Sequence, residues 1–188
     1  MPPEPPSDGS QDPSPRATPA VSTAPVESTA PVELTAPVVL PTTEDTHAWG
    51  ERLGRLLRPG DLVVLTGELG AGKTTLTQGI GDGLGVRGPV TSPTFVIARV
   101  HPSLVGGPAL VHVDAYRLGG FAELDDLDLD ESVDDCVTVV EWGHGLAEDL
   151  AEDRLEVTLS GEDTRWASVQ THGPRWAKAD LTSLEVPA

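Results

Sequence analysis

Apolar positions along the chain change period several times, and each change predicts an element. After Leu40-Pro41, Trp49, Leu53, Leu56 and Leu57 recur at helical spacing up to Arg58-Pro59-Gly60, and the capping side chains of Thr43-Glu44-Asp45-Thr46 open that helix. Residues 61–66 (DLVVLT) form a short β-branched run, a strand. Over 73–84, Leu76, Ile80 and Leu84 restore the helical spacing, and Gly85 then Gly88-Pro89 break it. A turn at 90–94 enters a strand running to Val100, residues 101–108 form a loop, and 109–114 and 137–141 are two apolar strands that each end in an acid. A short helix is expected at 144–152. Segments 154–160 and 165–172 alternate apolar and polar residues around Gly161-Glu162-Asp163, the pattern of a hairpin. Strands interleaved with helices, then a hairpin, predict an α/β fold: a three-layer domain with a mainly parallel central sheet and a C-terminal antiparallel hairpin.

Residues 1–40 follow neither period. They are rich in Pro, Ser, Thr, Ala and Glu and contain a hexad repeat, TAPVES-TAPVEL-TAPVVL, from Thr23 to Leu40. Proline in each copy disfavours a helix or a central strand, so a disordered extension is expected over 1–40, the domain over 41–173 and a tail over 174–188. No apolar stretch approaches the roughly 20 residues of a membrane span. The N-terminus lacks a basic region followed by an apolar core, and the one cysteine, Cys136, excludes an internal disulfide; both fit a cytoplasmic protein. Cys136 itself reads as a small buried residue at a strand start. Net charge is −18, and residues 41–188 alone carry 25 acids against 11 bases. Such a surface repels a nucleic-acid backbone, so DNA binding is not expected and any service to RNA would pass through a protein partner.

The strongest chemical signal is GELGAGKT at 67–74, which fills the phosphate-loop pattern G-x-x-x-x-G-K-[ST] between a strand and a helix. Gly67, Gly70 and Gly72 let the chain curl so that backbone N–H groups point inward, and the helix start adds its positive end. The candidate nucleotide contacts are therefore Glu68, Leu69, Gly70, Ala71, Gly72, Lys73, Thr74 and Thr75. Lys73 would reach the β/γ-phosphates, and the Thr74 hydroxyl would meet Mg²⁺. Such a site needs a further acid at a strand end. Both Asp114 and Glu141 qualify, one for the Mg²⁺ shell and the other for the attacking water or a mobile segment.

Other features carry less. Thr91-Ser92-Pro93-Thr94 is either a plain turn or a loop able to reach the γ-phosphate. Trp142 either stacks on adenine or fills the core. Asp126, Asp128 and Asp130 alternate as in a calcium loop, but Glu131 and Val137 stand where that loop needs Gly and Glu, so 121–135 reads as a solvated acidic surface or a docking patch. The five histidines show no metal-ligand spacing.

Taken in order, GELGAGKTTLTQG, TSPTF, HVDAYRL and VVEWG resemble the motif series of the TsaE (YjeE) family over about residues 41–170. The resemblance implies a P-loop NTPase-like domain binding ATP and Mg²⁺, with weak, partner-dependent hydrolysis. It also implies TsaD and TsaB as partners in threonylcarbamoyladenosine modification of tRNA, the tRNA being reached indirectly and no membrane being involved. Lys73, Asp114 and Glu141 would then be catalytic, Thr74 and Glu141 would bind Mg²⁺, and Thr94 and Trp142 would approach the nucleotide. Segment 42–46, with Thr46, would lie near the base. Tyr116 and Arg117 would brace the loop or face the partner. Gly143 departs from the family, which often has an aromatic residue or proline after E-W. Two other readings compete: a P-loop small-molecule kinase, for which no arginine-rich lid is evident, and a nucleotide-dependent interaction module without essential hydrolysis.

Overall fold

The structure, a computed structural model, describes residues 32–33, 36–93, 96–118 and 134–185. In chain order the elements are β1 (Val32–Glu33), β2 (Val38–Leu40), α1 (Thr43–Leu56), β3 (Leu62–Thr66), α2 (Lys73–Leu84), β4 (Ala98–His101) and β5 (Ala109–Asp114). After them come β6 (Cys136–Glu141), β7 (Arg154–Ser160), β8 (Arg165–His172) and α3 (Thr182–Glu185). Among the described residues the strands form one mixed sheet ordered β1-β8-β7-β3-β6-β5-β4, with β2 beside β1 along the same edge of β8. β7, β3, β6 and β5 are parallel, while β4 and β8 run antiparallel to their neighbours.

β3 is central, and its run of apolar residues reflects burial on both faces. Val63 and Leu65 face a core built with Trp49 and Leu53 of α1 and Leu76 and Ile80 of α2. α1 and α2 lie so close that a Cβ on Gly79 would stand 2.0 Å from the His47 carbonyl oxygen, and one on Gly50 would stand 2.4 Å from that of Leu76. Gly79 and Gly83 of GIGDG thus serve backbone contact between helices, which outweighs their poor helix propensity. On the opposite face Leu62, Val64 and Val140 pack under Ala147, Leu146 and Leu150.

That second face departs from the expected three layers. Among the described residues it is covered by loops and 3-10 turns at Ala115–Arg117 and Glu148–Leu150, not by an α-helix. The helix expected at 144–152 shrinks because Gly145 sits at φ 79° and breaks the helical path before it can propagate. β4 is likewise shorter than expected. Val96 and Ile97 both donate their N–H to the Pro93 carbonyl, and Ile97 turns at φ 67°, so extended pairing begins only at Ala98.

Both expected domain boundaries also move. Val38 and Leu40, placed in the unpaired extension, pair with β8 and are buried in the main core. Pro37 and Pro41 flank β2 on an outer edge, where a missing N–H costs little. Residues 1–31, with the first hexad, lie outside the described set. α1 then starts one residue earlier than read, with Thr42 and Asp45 forming a capping box. At the other end, the tail expected from 174 is part of the fold. Trp176 and Leu184 are buried, Trp49 Nε1 donates to the Leu184 carbonyl at 2.9 Å, and Arg175 pairs with buried Asp61 at 2.9 Å.

Candidate functional site

β3 delivers Thr66 to the carboxyl edge of the parallel strands, and the chain then curls through residues 67–72 into α2. At Gly67 (φ 146°) a Cβ would lie 2.4 Å from the Leu159 carbonyl oxygen, so only glycine lets the loop leave the sheet beside β7. Gly72 caps α2 without any side-chain hydrogen bond, which leaves the first-turn N–H groups unpaid by a cap. From β8, Arg165 Nε donates to the Ala71 carbonyl at 3.0 Å. Since a trans peptide sets N–H opposite its C=O, that anchor turns the Gly72 N–H to the other side.

Lys73 opens α2 and is buried, with Nζ donating to the carbonyls of Gly67 (2.7 Å) and Glu68 (2.9 Å) and lying 3.8 Å from the centre of the Trp142 ring. Burial lowers its pKa, while Glu141 and Asp114 pull it back up. Thr74 is the next residue, and its hydroxyl donates to Glu141 Oε1 at 3.0 Å. Asp114 and Glu141 are register partners at the ends of β5 and β6, both buried. Asp114 accepts from the Tyr116 N–H at 3.1 Å and from the Ser92 hydroxyl at 3.4 Å. Trp142 turns at φ 62°, held by its N–H to the Leu65 carbonyl, and its ring meets Tyr116 at 5.2 Å between centroids.

These residues bound one cavity of about 270 Å³, lined by Leu69, Gly70, Gly72, Lys73, Thr74, Thr75, Ser92, Asp114, Glu141 and Trp142. Most sequence-predicted site residues therefore converge. Glu68 and Ala71 instead line an adjoining cavity of about 660 Å³, between the loop and the β7–β8 turn, which shares Leu69 and Gly70 with the first. Thr46 does not line the cavity. It is buried with its hydroxyl on the Thr42 carbonyl, and its methyl is 3.6 Å from where a Gly72 Cβ would stand. Thr94 and the acidic 121–133 stretch lie outside the described residues. Cys136 is half-buried, and burial with Asp135 raises its thiol, as suits an inert residue.

Three site residues escaped the sequence reading. Ser92 stands there only as part of the 91–94 segment, either a plain turn or a loop able to reach the γ-phosphate. Arg165 reaches the loop from 94 residues away, with no sequence signal to announce it. His112 is fully buried, and its Nε2 lies 2.8 Å from Glu141 Oε1. Its signal was parity: in a strand, His112 shares a face with Asp114.

Oxygen donors from a hydroxyl and a carboxylate suit a hard cation such as Mg²⁺. Among the described residues no group of three or more His, Cys, Asp or Glu could hold a metal by itself, so most of its ligands would come from phosphate and water.

Fold and site together define an α/β protein with a glycine-rich G-x-x-x-x-G-K-T loop at the carboxyl edge of a mixed sheet, facing two strand-end acids. A family model described as threonylcarbamoyl adenosine biosynthesis protein TsaE matches residues 40–168. The chain is 62% identical over 142 residues to the tRNA threonylcarbamoyladenosine biosynthesis protein TsaE of Streptomyces coelicolor, covering 72% of this chain and 96% of that one. It is 54% identical over 139 residues to its Mycobacterium tuberculosis counterpart, covering 69% and 83%. The crystal structure of Bacillus subtilis YdiB superposes with a TM-score of 0.62 at 32% identity, covering 80% of this chain and 93% of that one. The chain belongs to the TsaE family.

Proposed function

We propose that this chain is a Mg²⁺-dependent P-loop ATPase that acts with the TsaB and TsaD proteins in threonylcarbamoyladenosine modification of tRNA. The observation that carries the proposal is the convergence of Lys73, Thr74, Asp114 and Glu141 on one cavity beneath the glycine loop. Polyphosphate binding there is supported by the uncapped N-terminus of α2 and by a buried ammonium. Lys73 would exchange its bonds to the Gly67 and Glu68 carbonyls for phosphate oxygens, and Thr74 and Glu141 would hold Mg²⁺. The metal would supply charge neutralisation at the phosphates.

Asp114, fixed by the Tyr116 N–H and the Ser92 hydroxyl, is the residue positioned to orient a water. Ser92 brings the described part of the TSPT segment to this acid, which supports the approach of that segment's Thr94 to the nucleotide. The ring of Trp142 would close over the phosphates. Thr43, Glu44, His47, Thr75 and Gln78 line a hollow of about 350 Å³ beside the start of α2, which would take the base in place of direct contact with Thr46. A tRNA-modifying role implies the cytoplasm, and the acidic surface implies that the tRNA is held by the partners.

Depletion in cells tests the reading. Threonylcarbamoyladenosine in tRNA should fall, and the chain should restore it while Lys73→Ala and Glu141→Ala should not. Unchanged modification on depletion would remove the assignment. Full rescue by Glu141→Ala would favour an interaction module without essential hydrolysis.

A further inference from the structure

We infer that His112 is a positioning residue that aims the Glu141 carboxylate at the Thr74 hydroxyl and so sets the affinity of the site for Mg²⁺. The inference rests on the Mg²⁺–ATP reading of the cavity. His112 sits in the middle of β5, wholly buried, between apolar neighbours Val111 and Val113. A polar ring in that place loses hydration and needs a compensating bond. Its Nε2 finds one at 2.8 Å from Glu141 Oε1, the same oxygen that takes the Thr74 hydroxyl at 3.0 Å. Nδ1 has no hydrogen-bond partner among the described residues. A bare lone pair is cheaper to bury than an unpaired N–H, so the arrangement assigns the proton to Nε2, donating to Glu141.

The chain of contacts Thr74–Glu141–His112 links the helix start to two adjacent strands. A carboxylate on a strand end has a rotatable side chain, and one donor alone, the Thr74 hydroxyl, would leave it free to swing. A second donor to the same oxygen, rooted in the sheet, restrains that swing. Outer partners of this kind alter metal affinity by roughly 10–100-fold when removed.

The test is binding of a fluorescent ATP analogue by the full chain, titrated with Mg²⁺ and repeated in EDTA, for the parent, His112→Phe, His112→Gln and Glu141→Gln. Gln places an N–H donor where Nε2 stands, whereas Phe fills the volume without one. In EDTA the parent and the His112 variants should bind alike, and the double variant His112→Phe/Glu141→Gln is compared with Glu141→Gln alone. The Mg²⁺ needed for half-maximal binding should rise about tenfold in His112→Phe. It should stay near the parent value in His112→Gln, and His112→Phe should add nothing to Glu141→Gln. His112→Asn, whose amide is too short to reach Glu141, carries the same expectation as Phe should the Phe variant not fold. An unchanged Mg²⁺ requirement in the variants lacking the donor overturns the positioning role while leaving the site reading intact. A parent whose binding ignores Mg²⁺ overturns both.

Discussion

Asp114 and Glu141 are register partners, yet their surroundings divide the work between them. Glu141 faces a hydroxyl and an imidazole, and Asp114 faces a backbone N–H and the Ser92 hydroxyl. On the proposed function the first setting would suit a metal and the second the orientation of a water. Asp114→Asn should therefore lower ATP turnover by roughly 100-fold or more while nucleotide affinity stays within a few-fold of the parent. A parallel loss of affinity would show Asp114 to be a binding residue instead. His101, buried on β4, gives a separate residue-scale expectation. Burial lowers its pKa, and Arg99 adds repulsion against the partial offset of the Arg87 carbonyl. The folded chain thus binds fewer protons there than the unfolded chain. Its stabilising contribution is present above the ordinary histidine value of 6.5 and is lost as pH falls from there through the lowered value. The thermal midpoint should fall more steeply between about pH 7 and pH 5 in the parent than in His101→Gln. Equal slopes would exclude this histidine as the source.

At the scale of elements, β2 and α3 bind the two chain ends to the domain. Leu40 is fully buried beside the strand that carries Arg165, so Leu40→Ala should cost about 2–5 kcal/mol in urea unfolding. A change near zero would restore the view of this segment as an unpaired extension. The chain's pattern announces α2, β3, β5 and the β7–β8 hairpin almost to the residue, because each is a run of one period bounded by Gly, Pro or a charge. It misplaces both ends for physical reasons. Three residues between prolines are too short to show alternation, and Trp176, Leu181 and Leu184 are spaced on no single period. The local loop GELGAGKT and the strand-end acids were legible for the same reason that His112 and Arg165 were not. The former carry their chemistry in contiguous motifs; Arg165 acquires its role only when β8 meets the loop, and His112, although it opens HVDAYRL, meets Glu141 only when β5 pairs with β6.

For the whole molecule, charge and topology set how the site is used. Residues 41–188 carry 25 acids and 11 bases, a net of −14, so the isolated chain should bind tRNA weakly at physiological salt. Tight, salt-sensitive binding in a filter or gel assay would contradict that. The proposed site opens at the carboxyl edge of the sheet, with Leu69 90% exposed at the tip of the loop and Tyr116 exposed beside Trp142. A partner covering this edge would exclude water from the cavity and strengthen each charge interaction within it. The most direct measurement is phosphate release from Mg²⁺–ATP by the purified chain, alone and with the TsaB and TsaD proteins. The account predicts slow release alone, faster release with both partners, and loss of both rates in Glu141→Ala. Release that ignores the partners, or survives in Glu141→Ala, would contradict it.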